Sequence, residues 1–139
     1  MTMAIATAWK AGGVAEISPR GEVDVDNAYE IRDAVVAVLT TATPNRVELN
    51  LSAVTFIDSV GIAALVAGFQ AAEVSGVKLV VTRPSRFVHR QLWVTGLLGL
   101  FGAPEPYVPA APPGHARPAA GVRAPAQARP VVDAPWPVG

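Results

Sequence analysis

The sequence predicts an α/β fold, in which helices pack on a mixed, mostly parallel β-sheet of four to five strands. Short runs rich in β-branched residues alternate with longer segments whose apolar residues recur at helical spacing. The order is strand, strand, helix, strand, helix, strand, helix, and a strand–helix–strand connection makes its two strands parallel. The chain has 139 residues, which leaves room for one domain.

Two short strands are predicted to open the domain, at residues 4–9 and 14–17. Residues 10–13, Lys-Ala-Gly-Gly, separate them, and the glycines stand where a hairpin connection needs a positive φ. Pro19 has no N–H to donate to a sheet, so we expect the second strand to end or bulge there.

The first helix is predicted to begin at Asn27. Glu30 follows three residues later, which makes a capping-box-like start with Asn in place of the usual Ser or Thr. The apolar residues that then recur at helical spacing are Ile31, Val35, Val38 and Leu39. Pro44, within residues 40–45, closes the helix and turns the chain.

The segment around which the domain is organised runs from a strand into a second helix. Residues 46–51 alternate as a half-buried strand does, and residues 52–55 continue toward the helix. Asp58 and Ser59 are both residue types that cap a helix N-terminus, so the helix is expected to begin on one of them. Its core-facing stripe is Ile62, Leu65, Val66 and Phe69.

The opposite face of the second helix is also apolar, with Gln70 nearly its only polar residue. Its other members are small or aliphatic: Val60, Ala63, Ala64, Ala67 and Ala71. A helix that is apolar on all sides is either deeply buried or covered by a partner, and both interpretations stay open at this point.

The rest of the domain adds one more strand and helix. A Ser-Gly stop at residues 75–76 precedes a buried strand at residues 77–82. Pro-Ser at residues 84–85 opens a third helix, which runs to about residue 95 and ends at Gly96. Its predicted inward-facing residues are Val88, Leu92 and Thr95. Residues 97–101 are expected to lead to a last short strand or an extended edge.

The composition changes at residue 104, so residues 1–103 are predicted to be the folded domain and residues 104–139 a disordered Pro/Ala-rich tail. Ten of the thirteen prolines lie in the tail. It has no periodic apolar pattern, and such a segment cannot bury enough surface to offset the entropy lost on ordering.

Composition and charge argue against several kinds of function. Lys and Arg number 11, as do Asp and Glu, and no basic patch indicates nucleic-acid binding. The chain has no cysteine, and His89 and His115 lie far apart, so neither a metal site nor a cofactor is predicted. The uncharged stretch at residues 59–72 is too short and too rich in alanine to span a bilayer. We therefore expect a cytoplasmic protein without a membrane partner.

Three motifs, taken in order, resemble the STAS domain family, the sulfate-transporter and anti-sigma-factor-antagonist domains. They are GEVD at residues 21–24, VELNLSAVTFIDSVG at 47–61, and TRPSR at 82–86 followed by VTGL at 94–97. The resemblance covers roughly residues 4–101 and is closest to the stand-alone bacterial anti-sigma factor antagonists. The chain departs from the family pattern at Pro19-Arg20 and in its long tail.

The resemblance implies a regulator that switches partners and is not an enzyme. In that family an unphosphorylated antagonist binds an anti-sigma factor, itself a serine/threonine kinase, and frees the sigma factor. The kinase then phosphorylates a serine at the start of the second helix, and a phosphatase, here expected to be of the PP2C type, resets the cycle. By position in the DSVG motif that serine is Ser59. The residues expected to bind the partner or support the switch are Asp24, Asp58, Val60, Gly61, Ala63, Ala64 and Ala67.

Elementary physical chemistry is compatible with this switch. A serine at the positive end of a helix dipole lies beside N–H groups without intrahelical partners, which are donors for a phosphate. The missing side chain of Gly61 would let a kinase active site approach Ser59.

Other interpretations remain. Ser59 could be a helix cap only, with Asp24 and Asp58 as turn and capping residues. A serine hydrolase is disfavoured because Ile57 stands where a G-x-S-x-G elbow needs its first glycine. The alternative function is a non-phosphorylated STAS adaptor subunit of a stressosome-like or lipid-transport ATPase complex. The sequence leaves the oligomeric state open, a homodimer included.

Overall fold

A computed structural model describes residues 3–109 of the chain. Its elements, in order, are β1 (Met3–Lys10), β2 (Val14–Val23), α1 (Tyr29–Thr41), β3 (Arg46–Asn50), β4 (Val54–Ile57), α2 (Ser59–Val74), β5 (Lys78–Thr82) and α3 (Arg86–Val94). The α/β class and the mixed sheet of five strands confirm the predicted fold. The sequence pattern did not separate β4 from β3, because β4 has only four residues and follows β3 after a short turn.

The sheet has the order β1-β2-β3-β5, and β4 pairs with β2. β1 is antiparallel to β2, and the other pairs are parallel. β2 is long enough to pair with β3 through residues 14–17 and with β4 through residues 21–23. The carboxyl ends of β2 and β4 therefore lie side by side, and the chain leaves both strands at the same end of the sheet.

The predicted hairpin between β1 and β2 is confirmed. Gly12 and Gly13 have φ values of 85° and 74°, in the region that glycine reaches without steric cost. The backbone N–H of Asn45 donates to the carbonyl of Gly13 at 2.8 Å, which holds the hairpin against the start of β3.

Pro19 does not end β2, so the prediction at this position is wrong. Pro19 pairs with Ile5 of β1, and β2 continues to Val23. No parallel strand pairs with residues 18–20, because the pairing to β3 has stopped and the pairing to β4 has not begun. The missing N–H of Pro19 therefore removes no hydrogen bond on the side of β2 that faces β3 and β4. The shift in register falls between Gly21 and Glu22 instead.

α2 meets α1 through a stripe of small residues. Ala64 and Ala72 are fully buried, and a Cβ added to Gly68 would lie 3.3 Å from the Val35 side chain of α1. Residues four apart lie one above the other on a helix, so Ala64, Gly68 and Ala72 form the face that contacts α1. The predicted outward position of Ala64 is therefore wrong: an apolar pattern on all sides of α2 does not indicate which small residues meet the neighbouring helix.

α3 begins at Arg86 with Ser85 as its N-cap, so the predicted Pro-Ser start is confirmed. The Ser85 hydroxyl accepts a hydrogen bond from the N–H of Val88 and donates one of 2.6 Å to the carbonyl of Val54, which ties the helix to β4. Val88 and Leu92 are fully buried, as expected. Thr95 is exposed and is the C-cap residue, so its predicted inward position is wrong.

Residues 98–102 form turns, and no strand follows them as far as residue 109. Phe101 is fully buried and lies edge-on to Phe69 of α2, with the ring centroids 5.8 Å apart. Its carbonyl accepts a hydrogen bond from the N–H of Val81 at 3.3 Å. The turns thus cover the outer edge of β5.

Contacts with the domain extend past the predicted boundary at residue 103. The N–H of Tyr107 donates to the carbonyl of Pro84 at 2.7 Å, and the Arg83 guanidinium lies 4.4 Å from the centre of the Tyr107 ring. The remainder of the predicted tail, residues 110–139, lies outside the described residues.

Within residues 3–109 no helix is both long and apolar enough to cross a membrane.

Candidate functional site

The candidate site lies where β2 and β4 end. Val23 and Ile57 are register partners in these parallel strands, and the N–H of Asp58 donates to the carbonyl of Val23 at 3.2 Å. Adjacent strands are about 4.8 Å apart, so the next residue of each chain segment, Asp24 and Asp58, emerges at the same edge. The sheet register thus brings together Asp24 and the DSVG motif, which the sequence places 34 residues apart.

Asp58 is the N-cap of α2. Its backbone is extended, with φ −101° and ψ −173°, and its carboxylate accepts a hydrogen bond of 2.8 Å from the N–H of Gly61. Its carbonyl accepts the first helical hydrogen bond, from the N–H of Ile62 at 2.9 Å. Of the two predicted starting residues, Asp58 is therefore the cap and Ser59 is the first residue within the helix.

Ser59 is exposed at the N-terminus of α2. Because Asp58 already caps Gly61, the hydroxyl of Ser59 is not used as a cap. Among residues 3–109 no group accepts a hydrogen bond from the N–H of Ser59 or of Val60. These two donors point out of the helix start, at the positive end of the helix dipole. The arrangement offers donors to an anion at Ser59.

Gly61 has a different role from the one predicted. It is buried, and a Cβ added there would lie 2.5 Å from the Ile57 side chain and 2.9 Å from the Val23 side chain. Real Cβ contacts are not this short, so only glycine lets the first turn of α2 lie this close to the ends of β2 and β4. Gly61 faces the core, and its missing side chain sets the position of Ser59 rather than opening a path to it.

Asn27 is a structural residue of the site that sequence reasoning misassigned. The predicted capping box is wrong: α1 begins at Tyr29, and its N-cap residue, Ala28, makes no side-chain cap hydrogen bond. The buried Asn27 side chain turns back, accepting from the N–H of Asp24 at 3.0 Å and donating to the carbonyl of Glu22 at 2.9 Å. Asn27 thereby holds the loop that carries Asp24.

Asp24 organises the same loop. Its carboxylate accepts a hydrogen bond from the N–H of Asp26 at 3.0 Å, and its carbonyl accepts one from the N–H of Ala28 at 2.8 Å. The side chains of Asp24 and Asp58 are half-buried at this end of the sheet and each satisfies a backbone N–H. Both acidic residues therefore act as turn or helix caps, and both carry a carboxylate at the end of the sheet where α2 begins.

The surface around Ser59 includes apolar side chains. Of the predicted partner-binding residues, Ala63 is exposed, Val60 and Ala67 are half-buried, and Ala64 is buried against α1. Two further exposed apolar residues, which the sequence did not single out, lie close to Asp24 and Asp58 in the chain. Val25 follows Asp24 and is 66% exposed, and Phe56, two residues before Asp58, is 37% exposed.

The orientation of Phe56 could have been predicted from the alternation of side chains along a strand. It is a large aromatic residue at the alternate position to the buried Ile57, so it points to the other face of β4. Its ring packs on Phe87 of α3, with the centroids 5.3 Å apart.

Among the described residues, no group of three or more His, Cys, Asp or Glu side chains is arranged to hold a metal ion.

Solved structures with this architecture include several anti-sigma factor antagonists. The crystal structure of an anti-sigma factor antagonist from Mycobacterium paratuberculosis is 25% identical, over 77% of this chain and 88% of that one, with a TM-score of 0.63. The anti-sigma factor antagonist SpoIIAA in its unphosphorylated form is 18% identical, over 76% of this chain and 89% of its own, with a TM-score of 0.62.

The phosphorylated form of the Bacillus cell fate determinant SpoIIAA is also similar. It is 17% identical, over 76% of this chain and 92% of its own, with a TM-score of 0.58. At these identities the likeness to SpoIIAA supports the fold alone. The family model described as STAS domain matches residues 7–109, which include every element from β2 to α3 and the whole candidate site. The chain belongs to the STAS domain family.

Proposed function

We propose that this protein is an anti-sigma factor antagonist that binds an anti-sigma factor kinase and releases the sigma factor, and that phosphorylation of Ser59 ends the binding. The observation that carries the proposal is the position of Ser59, exposed as the first residue of α2 while its neighbour Asp58 caps the helix. The 25% identity to the Mycobacterium paratuberculosis antagonist supports the same role.

The helix start is suited to carry a phosphate without loss of the fold. Phosphoserine adds a charge of about −1.5 to −2 and three acceptor oxygens. The N–H groups of Ser59 and Val60 are available to it, and the helix dipole contributes about 0.3–1 kcal/mol at an exposed site. Repulsion from Asp24 and Asp58 opposes this gain. The two effects are of similar size, so the folded state is retained.

The effect on a bound partner is larger. In the unphosphorylated protein, Val60 and Ala63 on α2 and the exposed Val25 in the loop after β2 offer apolar surface for a partner to cover. A phosphate at Ser59 would have to lose its water inside that contact, next to the two carboxylates that already lie at this edge. A loss of about 3–4 kcal/mol weakens binding several-hundred-fold, which is enough for a switch.

The kinase partner and a PP2C-type phosphatase complete the proposed cycle. The exposed hydroxyl of Ser59 allows a kinase active site to reach it, and the same exposure allows a phosphatase to remove the phosphate. In this scheme Asp24 and Asp58 position the site by capping its two backbone segments, and neither carries out catalysis.

A capture experiment from lysate of the native organism tests the proposal. The baits are wild type, Ser59→Ala, Ser59→Glu and the matched control Ser75→Glu, which adds the same charge at the exposed far end of α2. A kinase that Ser59→Glu fails to capture and the other three retain supports the switch. Two results would contradict the switch: capture of the same partner by all four baits, or capture of transporter or scaffold subunits alone. In either case the protein acts as a constitutive adaptor and Ser59 has no regulatory role.

A further inference from the structure

The two edges of the sheet differ in how they are protected. At the β5 edge, the turns at residues 98–102 supply a carbonyl to Val81 and pack Gly102 against Val80. β4 is flanked by α3, which Ser85 ties to Val54. β1 is the terminal strand on the other side, and no described residue pairs with its outer edge.

β1 also lacks the features that normally prevent edge-to-edge pairing. It has eight residues, contains neither proline nor glycine, and pairs with β2 in an uninterrupted register. Natural edge strands are usually short, bulged or interrupted by charged residues. The only charge in β1 is Lys10, at its last position, and its Nζ is already paired with Glu48 at 2.9 Å. The backbone groups at the outer edge of β1 can therefore form hydrogen bonds with another strand.

The side chains of β1 complement a second copy of the same strand. Trp9 is 51% exposed, and it shares a face of the strand with the half-buried Ile5. In an antiparallel pair centred on Thr7, Trp9 of each copy lies opposite Ile5 of the other, which is a favourable aromatic–β-branched pair. Lys10 then lies opposite Ala4, so no like charges meet.

We infer that β1 pairs antiparallel with β1 of a second copy, centred on Thr7, to form a two-fold dimer with a continuous sheet. Because both copies use the same edge of β1, the interface is two-fold symmetric and the pairing closes at two copies. The partner is the same chain rather than a foreign peptide, because the self-pairing places each exposed Trp9 on an apolar residue and avoids charge conflict.

The dimer is expected to be weak. The pairing centred on Thr7 joins the seven residues 4–10, which span about 24 Å, and a strip about 10 Å deep gives ~240 Å² per copy. A stable interface buries about 800 Å² per partner, so we expect a dissociation constant between about 10 µM and 1 mM. The inference is independent of the proposed switch, because β1 contains no residue of the candidate site.

Sedimentation equilibrium of the full chain, over concentrations that bracket about 100 µM, tests the inference. Wild type should show reversible dimerisation. Thr7→Lys places like charges opposite each other at the two-fold axis and should raise the dissociation constant at least about 10-fold. Thr43→Lys makes the same change at an exposed loop residue and should leave it unchanged. Equal thermal melting of the variants would verify that each is folded.

A cross-link tests the register, because the chain has no cysteine. Directly opposite residues have Cα atoms about 4.5–5.5 Å apart, within the range that a disulfide bridges. Thr7→Cys should form a covalent dimer under mild oxidation, whereas Ala11→Cys, in the exposed hairpin and far from its counterpart, should not. A wild type that stays monomeric, equal dimerisation of Thr7→Lys and Thr43→Lys, or equal cross-linking of the two cysteine variants would overturn the inference.

Discussion

The carboxylate of Asp58 accepts a hydrogen bond of 2.8 Å from the N–H of Gly61, and this bond defines where α2 begins. It leaves the hydroxyl of the intervening Ser59 free, although serine is itself a common cap. The division of roles between two adjacent cap-type residues is what makes Ser59 available for modification.

Asp58→Ala should lower the free energy of unfolding by about 0.5–2 kcal/mol, because the cap of α2 is lost. Asp58→Asn removes the charge and keeps a cap of similar strength, so its stability should stay close to that of wild type. Urea unfolding monitored by tryptophan fluorescence measures both. Equal destabilisation of the two variants would show that the charge of Asp58, rather than its capping bond, stabilises the domain.

Gly61→Ala should be destabilised by about 1–3 kcal/mol, because the added Cβ overlaps the side chains of Ile57 and Val23. Gly99→Ala is the matched control: its Cβ would meet nothing within 4 Å and its φ is not positive, so the change should stay within about 0.5 kcal/mol. Chemical unfolding of the two variants compares them directly. A Gly61→Ala protein as stable as Gly99→Ala would contradict the close packing of α2 on the strand ends.

Asn27→Ala should reduce stability by about 1–3 kcal/mol, because the partly buried N–H of Asp24 and carbonyl of Glu22 lose their hydrogen bonds. The control is Asp26→Ala in the same loop, since Asp26 is exposed and its effect should be within about 0.5 kcal/mol. Guanidinium unfolding gives both values. If neither variant loses stability, Asn27 does not hold the loop as described.

Truncation after residue 109 should leave the unfolding midpoint close to that of the full chain. Truncation after residue 103 should lower stability by about 0.5–2 kcal/mol, because the Arg83–Tyr107 stacking and the Tyr107–Pro84 hydrogen bond are removed. Thermal unfolding of both truncated chains and of Tyr107→Ala measures the difference. A large loss on truncation after residue 109 would place part of the domain's stability in residues 110–139.

The sequence predicted the features that depend on local chemistry. Gly12 and Gly13 in the hairpin, Ser85 as a cap, and the Asp58–Ser59 start of α2 each follow from the conformational or hydrogen-bonding preference of one or two residues. The β-α alternation followed from periodicity, and with it the α/β class.

Features that depend on contacts between distant segments could not be predicted in this way. One local feature was also misassigned: Asn27 looked like a cap by its spacing from Glu30, but its side chain bonds to Asp24 and Glu22 just before it, and spacing alone does not distinguish the two uses. The burial of Ala64 depends on which stripe of an all-apolar helix meets α1. Pro19 is tolerated because β3 and β4 pair with separate parts of β2, a register that no local pattern encodes.

The central claim is tested most directly by the affinity of the purified protein for its captured kinase, before and after that kinase has phosphorylated it. Intact-mass and fragment analysis should find one phosphate, at Ser59, and none on Ser59→Ala. Isothermal titration should find the phosphorylated protein bound several-hundred-fold more weakly than the unphosphorylated one, equivalent to about 3–4 kcal/mol. A phosphate at another residue, or unchanged affinity with the phosphate on Ser59, would contradict the account.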